Sequence, residues 1–160
     1  EFARNVCNIE DADSTEFSPN CSNPIIDLLP YQNLGSDDLG ATMRLGTYPT
    51  KLVDNTVAKS IYKDEIIYER HRHRYEVNNK YREQLSKSGM VFSGLSPDNE
   101  LIEIIELDDH PFFMGSQFHP EFKSRPGKPS PLFNHFIAAA KKFVVDDAYS
   151  SSKVNSEVND

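Results

Sequence analysis

The chain has 160 residues, 17 of them Lys or Arg and 25 Asp or Glu, for a formal charge of −8 at pH 7. That length sets one domain as the upper limit, and 38% apolar residues with 10 Phe, 7 Tyr and no Trp allow a core of modest size. The acidic balance excludes a general nucleic-acid or anionic-membrane surface, which needs clustered positive charge, and no apolar run reaches the roughly 18 residues of a membrane span.

Phe2, Val6 and Ile9 stand at helical spacing with no capping residue before Glu1, the pattern of a helix whose upstream part is missing. No basic segment followed by an apolar stretch opens the chain, so a secretory leader is not expected. Residues 10–24 are rich in Asp, Ser, Asn and Pro, and residues 30–40 contain Pro30, Gly35 and Gly40; both read as loops around an apolar patch at 25–29. Strands are expected at 42–47 and 51–53, a helical turn at 57–62 and extended backbone over 66–77. Residues 80–87 have helical composition and stop before Gly89, which suits a left-handed C-terminal cap. Segments 90–95, 101–107 and 112–118 read as three further strands. Residues 131–145 form an amphipathic pattern with Leu132, Phe133, Phe136, Ile137, Ala140 and Phe143 on one side and Ser130 placed to cap its start. The domain division is therefore an ordered part over 1–145 and a polar, serine-rich tail over 146–160, too poor in apolar residues to repay ordering.

Cys7 and Cys21 read as reduced, and the compartment as cytoplasmic, because a chain with this apolar content does not need a disulfide. Neither suits the sharp strand-to-helix turn of a nucleophile elbow, which needs small residues two positions to either side. Asn5 and Ile9 flank one, Pro19 and Asn23 the other, and Cys7 reads as a packed helix residue.

Two segments carry chemistry. In Gln117-Phe118-His119-Pro120-Glu121-Phe122 a histidine ends an apolar strand-like run, and residues two apart in extended chain project to one side with Pro120 fixing the backbone between them. His119 and Glu121 then converge as the base and orienting carboxylate of a nucleophilic triad. The alternative is a strand-end histidine bonded to backbone, with Glu121 simply exposed. Residues 69–78, if extended, line up Arg70, Arg72 and Arg74 on one face and His71, His73 and Tyr75 on the other. A row of guanidinium groups in an acidic chain suits bidentate capture of carboxylates, and equally suits an edge strand that uses charge against aggregation. His71, His73 and His119 lack a further spaced ligand, so no metal site is expected.

Taken in order, Ser14-Thr15-Glu16-Phe17, Ala41-Thr42-Met43-Arg44-Leu45-Gly46, the 69–78 segment and the His-Pro-Glu segment resemble the C-terminal glutaminase domain of the CTP synthase family, over roughly residues 1–145. His-Pro-Glu alone indicates the wider class I glutamine amidotransferases; the arginine-histidine run and Met-Arg-Leu-Gly narrow the likeness. Residues 124–131 look more like eukaryotic members than bacterial ones. The resemblance implies an α/β fold with a mostly parallel central sheet flanked by helices, incomplete at its N-terminus. It implies a cysteine thiolate that attacks the glutamine carboxamide and a glutamyl thioester that water hydrolyses. The ammonia passes to a synthase domain that uses ATP and magnesium to convert UTP to CTP. His119 resembles the general base and acid, Glu121 its orienting carboxylate, and Glu16 and Arg74 the residues that hold the ammonium and carboxylate of glutamine. Glutamine and the synthase domain are the implied partners, the implied assembly is a homo-oligomer, and no cofactor is implied for these residues themselves. The family's Gly-rich elbow with its cysteine lies upstream of the matching motifs and is not among these residues. The 160 residues alone are therefore expected not to hydrolyse glutamine, and an uncovered sheet edge and Phe2/Val6/Ile9 face are expected to favour association. A competing reading is a non-catalytic regulatory or interaction module that retains the amidotransferase fold; another class I amidotransferase is a third, against which residues 70–78 speak.

Overall fold

A computed structural model describes residues 1–29 and 43–157, with side chains through 144. The loop expected around Pro30, Gly35 and Gly40 and the Ala41-Thr42 start of one motif lie outside the described residues. The first helix, α1 (Phe2–Asn5), is a single turn. It stops because the chain doubles back through Asn8 at φ 52°, with the Ile9 N–H donating to the Ala3 carbonyl at 2.9 Å. Ile9 is buried by that reversal, whereas Val6 is exposed, so the expected Phe2/Val6/Ile9 face is not one continuous helical stripe.

Two sheets follow. In the smaller, β1 (Ala12–Ser14) runs parallel to β2 (Asn23–Asp27), which pairs antiparallel with β5 (Glu76–Val77). The larger contains β3 (Arg44–Leu52), β4 (Ile66–His73), β6 (Val91–Leu95), β7 (Ile102–Glu106) and β8 (Met114–Ser116), in the order β4-β3-β6-β7-β8 with every neighbour antiparallel. Helices α2 (Val57–Tyr62), α3 (Arg82–Lys87) and α4 (Pro131–Glu157) complete an α/β architecture. Strand direction corrects the expectation of a mostly parallel sheet: β1 and β2 are the one parallel pair among the described residues. The turns over 96–101 and 107–113 are too short for the crossover that a parallel pair requires.

Residues expected as two strands at 42–47 and 51–53 form the single strand β3, with Pro49 inside it. Proline is tolerated there because β6 pairs with β3 at Lys51 and Leu52, leaving one side of the strand unpaired at Pro49. Helix α2 is capped twice. Thr56 Oγ1 accepts the Lys59 N–H, and the buried carboxylate of Glu106 on β7 accepts the N–H groups of Val57 and Ala58 at 2.7 and 3.0 Å. Helix α3 ends as expected at Gly89, φ 103°: its N–H donates to the Ser86 carbonyl and that of Met90 to the Leu85 carbonyl, while the side chains of Met90 and Leu85 are both buried in one core cluster.

Helix α4 opens with Pro131, which gives up no needed N–H, while Ser130 Oγ is buried without a hydrogen-bond partner, so the expected side-chain cap is not made. Leu132 is buried under the helix, but Phe136, Ile137, Phe143 and Val144 are more than half exposed, so the apolar stripe is covered only at its start among the described residues. The backbone continues as helix to Glu157 without a break at 145, where the polar tail was expected to begin. Among the described residues two core clusters hold the fold: Ala3, Ile9, Ala12, Tyr81, Leu85 and Met90 beside the small sheet, and Leu52, Ala58, Ile67, Ile104, Phe118 and Leu132 between the large sheet and α2 and α4.

Candidate active site

Phe118, buried in the second core cluster, anchors the end of the last strand, and the His119 N–H then donates to the Arg70 carbonyl at 2.8 Å. This bond ties the His-Pro-Glu segment to β4. A 3-10 turn, Pro120–Phe122, follows at once and brings the carboxylate round, so that His119 Nδ1 and Glu121 Oε1 stand 2.7 Å apart. Glu121's own backbone N–H and the His119 ring hold its carboxyl below the ordinary value. The imidazole stacks on Phe122, with centroids 4.8 Å apart, and keeps 37% of its side-chain surface exposed. With Nδ1–H given to the carboxylate, Nε2 is the atom left to take a proton. This geometry is not that of a strand-end histidine bonded to backbone.

The turn is fastened from below as well. Lys123 Nζ lies 3.6 Å from Glu69 Oε2 and donates to the Tyr68 carbonyl. Glu69 is buried, and burial raises its carboxyl pKa against the opposing pull of Lys123 and Tyr62.

Strand β4 alternates as the sequence pattern requires: Arg70 and Arg72 are exposed, His71 is buried and His73 half-buried. Arg74 and Tyr75 occupy the bend between β4 and β5, both half-buried. Glu16 is exposed just beyond β1, its N–H donating to Ser14 Oγ at 3.2 Å. Because β2 pairs parallel with β1 and pairs Asp27 with Glu76 of β5, Glu16 and Arg74 lie at one end of the small sheet. His119 and Glu121 are thus in direct contact, whereas Glu16 and Arg74 are related by sheet end.

Sequence reasoning missed the buried polar network behind these residues. Arg44 makes a two-pronged pair with Glu103 (Nη2 to Oε1 2.8 Å, Nη1 to Oε2 3.2 Å) and reaches Glu76 Oε1 at 3.3 Å, and its guanidinium lies over the Tyr48 ring. His71 Nδ1 and His73 Nε2 are 2.9 Å apart, and His73 Nδ1 is 3.1 Å from the Tyr75 carbonyl. Burial, reinforced by Arg44, pushes His71 down to about 3 and His73 to about 4, so both rings are neutral near pH 7. Burial also raises Glu76 to about 7, outweighing the neighbouring Arg44. One signal was available: Glu103 and Glu106 sit in an otherwise apolar strand, and a buried carboxylate demands a partner. The histidines face each other in a hydrogen bond, and among the described residues no group of three or more His, Cys, Asp or Glu could hold a metal. Both cysteines are free; Cys7 packs against the first core cluster, and partial burial with Asp11 and Asp13 raises the Cys21 thiol pKa.

Comparison with known proteins follows the same lines. Residues 14–139 match the family described as glutamine amidotransferase class-I. The chain is 57% identical over 148 residues to the CTP synthase of Caldanaerobacter subterraneus subsp. tengcongensis, covering 92% of this chain and 27% of that protein. It is 59% identical over 140 residues to the CTP synthase of Bacillus subtilis, covering 88% of this chain and 26% of the relative, so it spans about a quarter of their length. The solved glutaminase domain of Trypanosoma brucei CTPS with bound acivicin superposes with a TM-score of 0.80 at 36% identity, over 88% of this chain and 55% of that one.

Proposed function

Because the chain belongs to the class I glutamine amidotransferase family, we propose that it is the second part of the glutaminase domain of a CTP synthase, supplying the acid–base half of glutamine hydrolysis. The observation that carries this reading is the His119 Nδ1 to Glu121 Oε1 contact at 2.7 Å. Glu121 fixes the tautomer and stabilises the imidazolium, and His119 Nε2 takes the proton of a cysteine thiol as the thiolate attacks the glutamine carboxamide. The same proton passes to the departing ammonia, and His119 then activates the water that cleaves the thioester. Glu16 receives the α-ammonium of glutamine and Arg74 its α-carboxylate, a pairing supported by their shared sheet end and opposite charges.

Neither cysteine of the chain is suited to the nucleophile role: Cys7 is packed against the core, and the Cys21 thiol pKa is raised. The 160 residues alone are therefore inactive, and the thiol comes from another segment. ATP and magnesium belong, in this reading, to the synthase domain that uses the ammonia to convert UTP to CTP. Glutamine and that domain are the partners, the assembly is a homo-oligomer, and the compartment is the cytoplasm; nucleic acid and membrane are not partners.

Glutamate release from glutamine tests this reading. The isolated chain should give none, and in the full-length enzyme His119→Ala should lower the rate by on the order of 10²-fold or more. Turnover by the isolated chain that His119→Ala abolishes would overturn the inactivity, and full activity of the variant would overturn the assignment of His119.

A further inference from the structure

We propose that His73 is a positioning residue for Arg74: by holding the Tyr75 carbonyl it sets the bend from which Arg74 meets the carboxylate of glutamine. The proposal rests on the reading of Arg74 given above. The bend consists of Arg74 and Tyr75, between the end of β4 at His73 and the start of β5 at Glu76. Both flanks are held from inside the protein. On one side His73 Nδ1 is 3.1 Å from the Tyr75 carbonyl; on the other Glu76, 1% exposed, is gripped by Arg44, itself held by Glu103.

The tautomers follow from the partners. A carbonyl only accepts, so Nδ1 of His73 carries the proton. The ring is neutral, so its Nε2 is a bare acceptor and takes the Nδ1–H of His71 at 2.9 Å. His73 therefore has both nitrogens engaged and cannot turn without breaking two partly buried hydrogen bonds. A guanidinium that grips a carboxylate through two parallel bonds tolerates little misorientation, so slack in the bend weakens substrate binding. The His119–Glu121 pair sits on a separate turn joined to β4 at Arg70, three residues before His73, and keeps its geometry.

Glutamine-dependent kinetics of the full-length enzyme test the proposal with three His73 variants. His73→Asn keeps an N–H donor where Nδ1 stands. His73→Gln keeps a polar group facing His71 but none facing Tyr75, and His73→Leu keeps neither. His73→Leu and His73→Gln should raise the KM for glutamine about tenfold, the scale of a weakened charge-assisted contact, with kcat changed less than about twofold, and His73→Asn should recover most of the loss. In an Arg74→Ala background, itself with raised KM, His73→Gln should add no further increase. An additive effect in that background, an Asn variant no better than Gln, or a loss confined to kcat would overturn the proposal. Should Leu fail to fold, the Asn and Gln pair decides. Arg74→Ala with unchanged KM would instead overturn the reading of Arg74.

Discussion

Lys123 supplies the positive charge closest to a carboxylate that the fold has buried under the His-Pro-Glu turn. Glu69 is 5% exposed, its Oε2 lies 3.6 Å from Lys123 Nζ, and its pKa is already raised by burial. Removing the lysine leaves Glu69 either charged and unpaired or forced to take a proton. Lys123→Met should therefore cost about 1–2 kcal/mol of stability at pH 8 and clearly less at pH 5, where the carboxyl is more readily protonated. Denaturant unfolding at the two values checks this, and equal losses would contradict it. The contrast between this residue and its neighbours shows what a sequence reveals at this scale. His119 and Glu121 are two positions apart and their meeting is local, so spacing exposed it. Arg44 lies 32 residues from Glu76 and 59 from Glu103, and no local period announces a contact made by folding.

Between elements, β6 leaves no room for a side chain where Gly94 faces β7. A Cβ on Gly94 would stand 2.6 Å from Ile104 Cγ1 and 2.9 Å from its Cβ, and Ile104 is fully buried in a cluster with Leu52, Ala58 and Phe118. The side chain has nowhere to retreat, so Gly94→Ala should destabilise the fold by about 1–3 kcal/mol. Equilibrium unfolding with an unchanged midpoint would refute this. Elements defined by local chemistry were legible: α2, the left-handed end of α3 at Gly89, and the alternation of arginines and histidines on β4. Strand direction was not, because a period of two is the same in parallel and antiparallel pairs. Helix α1 is shorter than the spacing of Phe2, Val6 and Ile9 suggests because nothing in those residues marks the reversal at Asn8, and β3 is one strand rather than two pieces because its pairing with β4 runs on through Pro49.

At the scale of the whole molecule the buried titrating groups set its response to acid. His71 and His73 bind protons in the unfolded chain as pH falls through 6.5 but resist them in the fold down to about 3 and 4, so each favours unfolding on acidification. Glu76 acts oppositely, binding its proton in the fold below about 7 and in the unfolded chain only near 4.5. Glu69, whose carboxyl pKa burial also raises, opposes the histidines in the same sense, so the two histidine protons leave a net loss of stability between pH 6.5 and 4.5 of less than about 1.4 kcal/mol per pH unit. Thermal melts at pH 6.5, 5.5 and 4.5 should show Tm falling on acidification, and a rise would contradict the balance. The optical method for those melts is constrained by α4. Phe136, Ile137, Phe143 and Val144 stand 53–66% exposed along the outside of that helix, so an environment-sensitive dye finds apolar surface before any heating. Its fluorescence starts bright and the transition is flattened, which leaves circular dichroism as the quieter witness of melting.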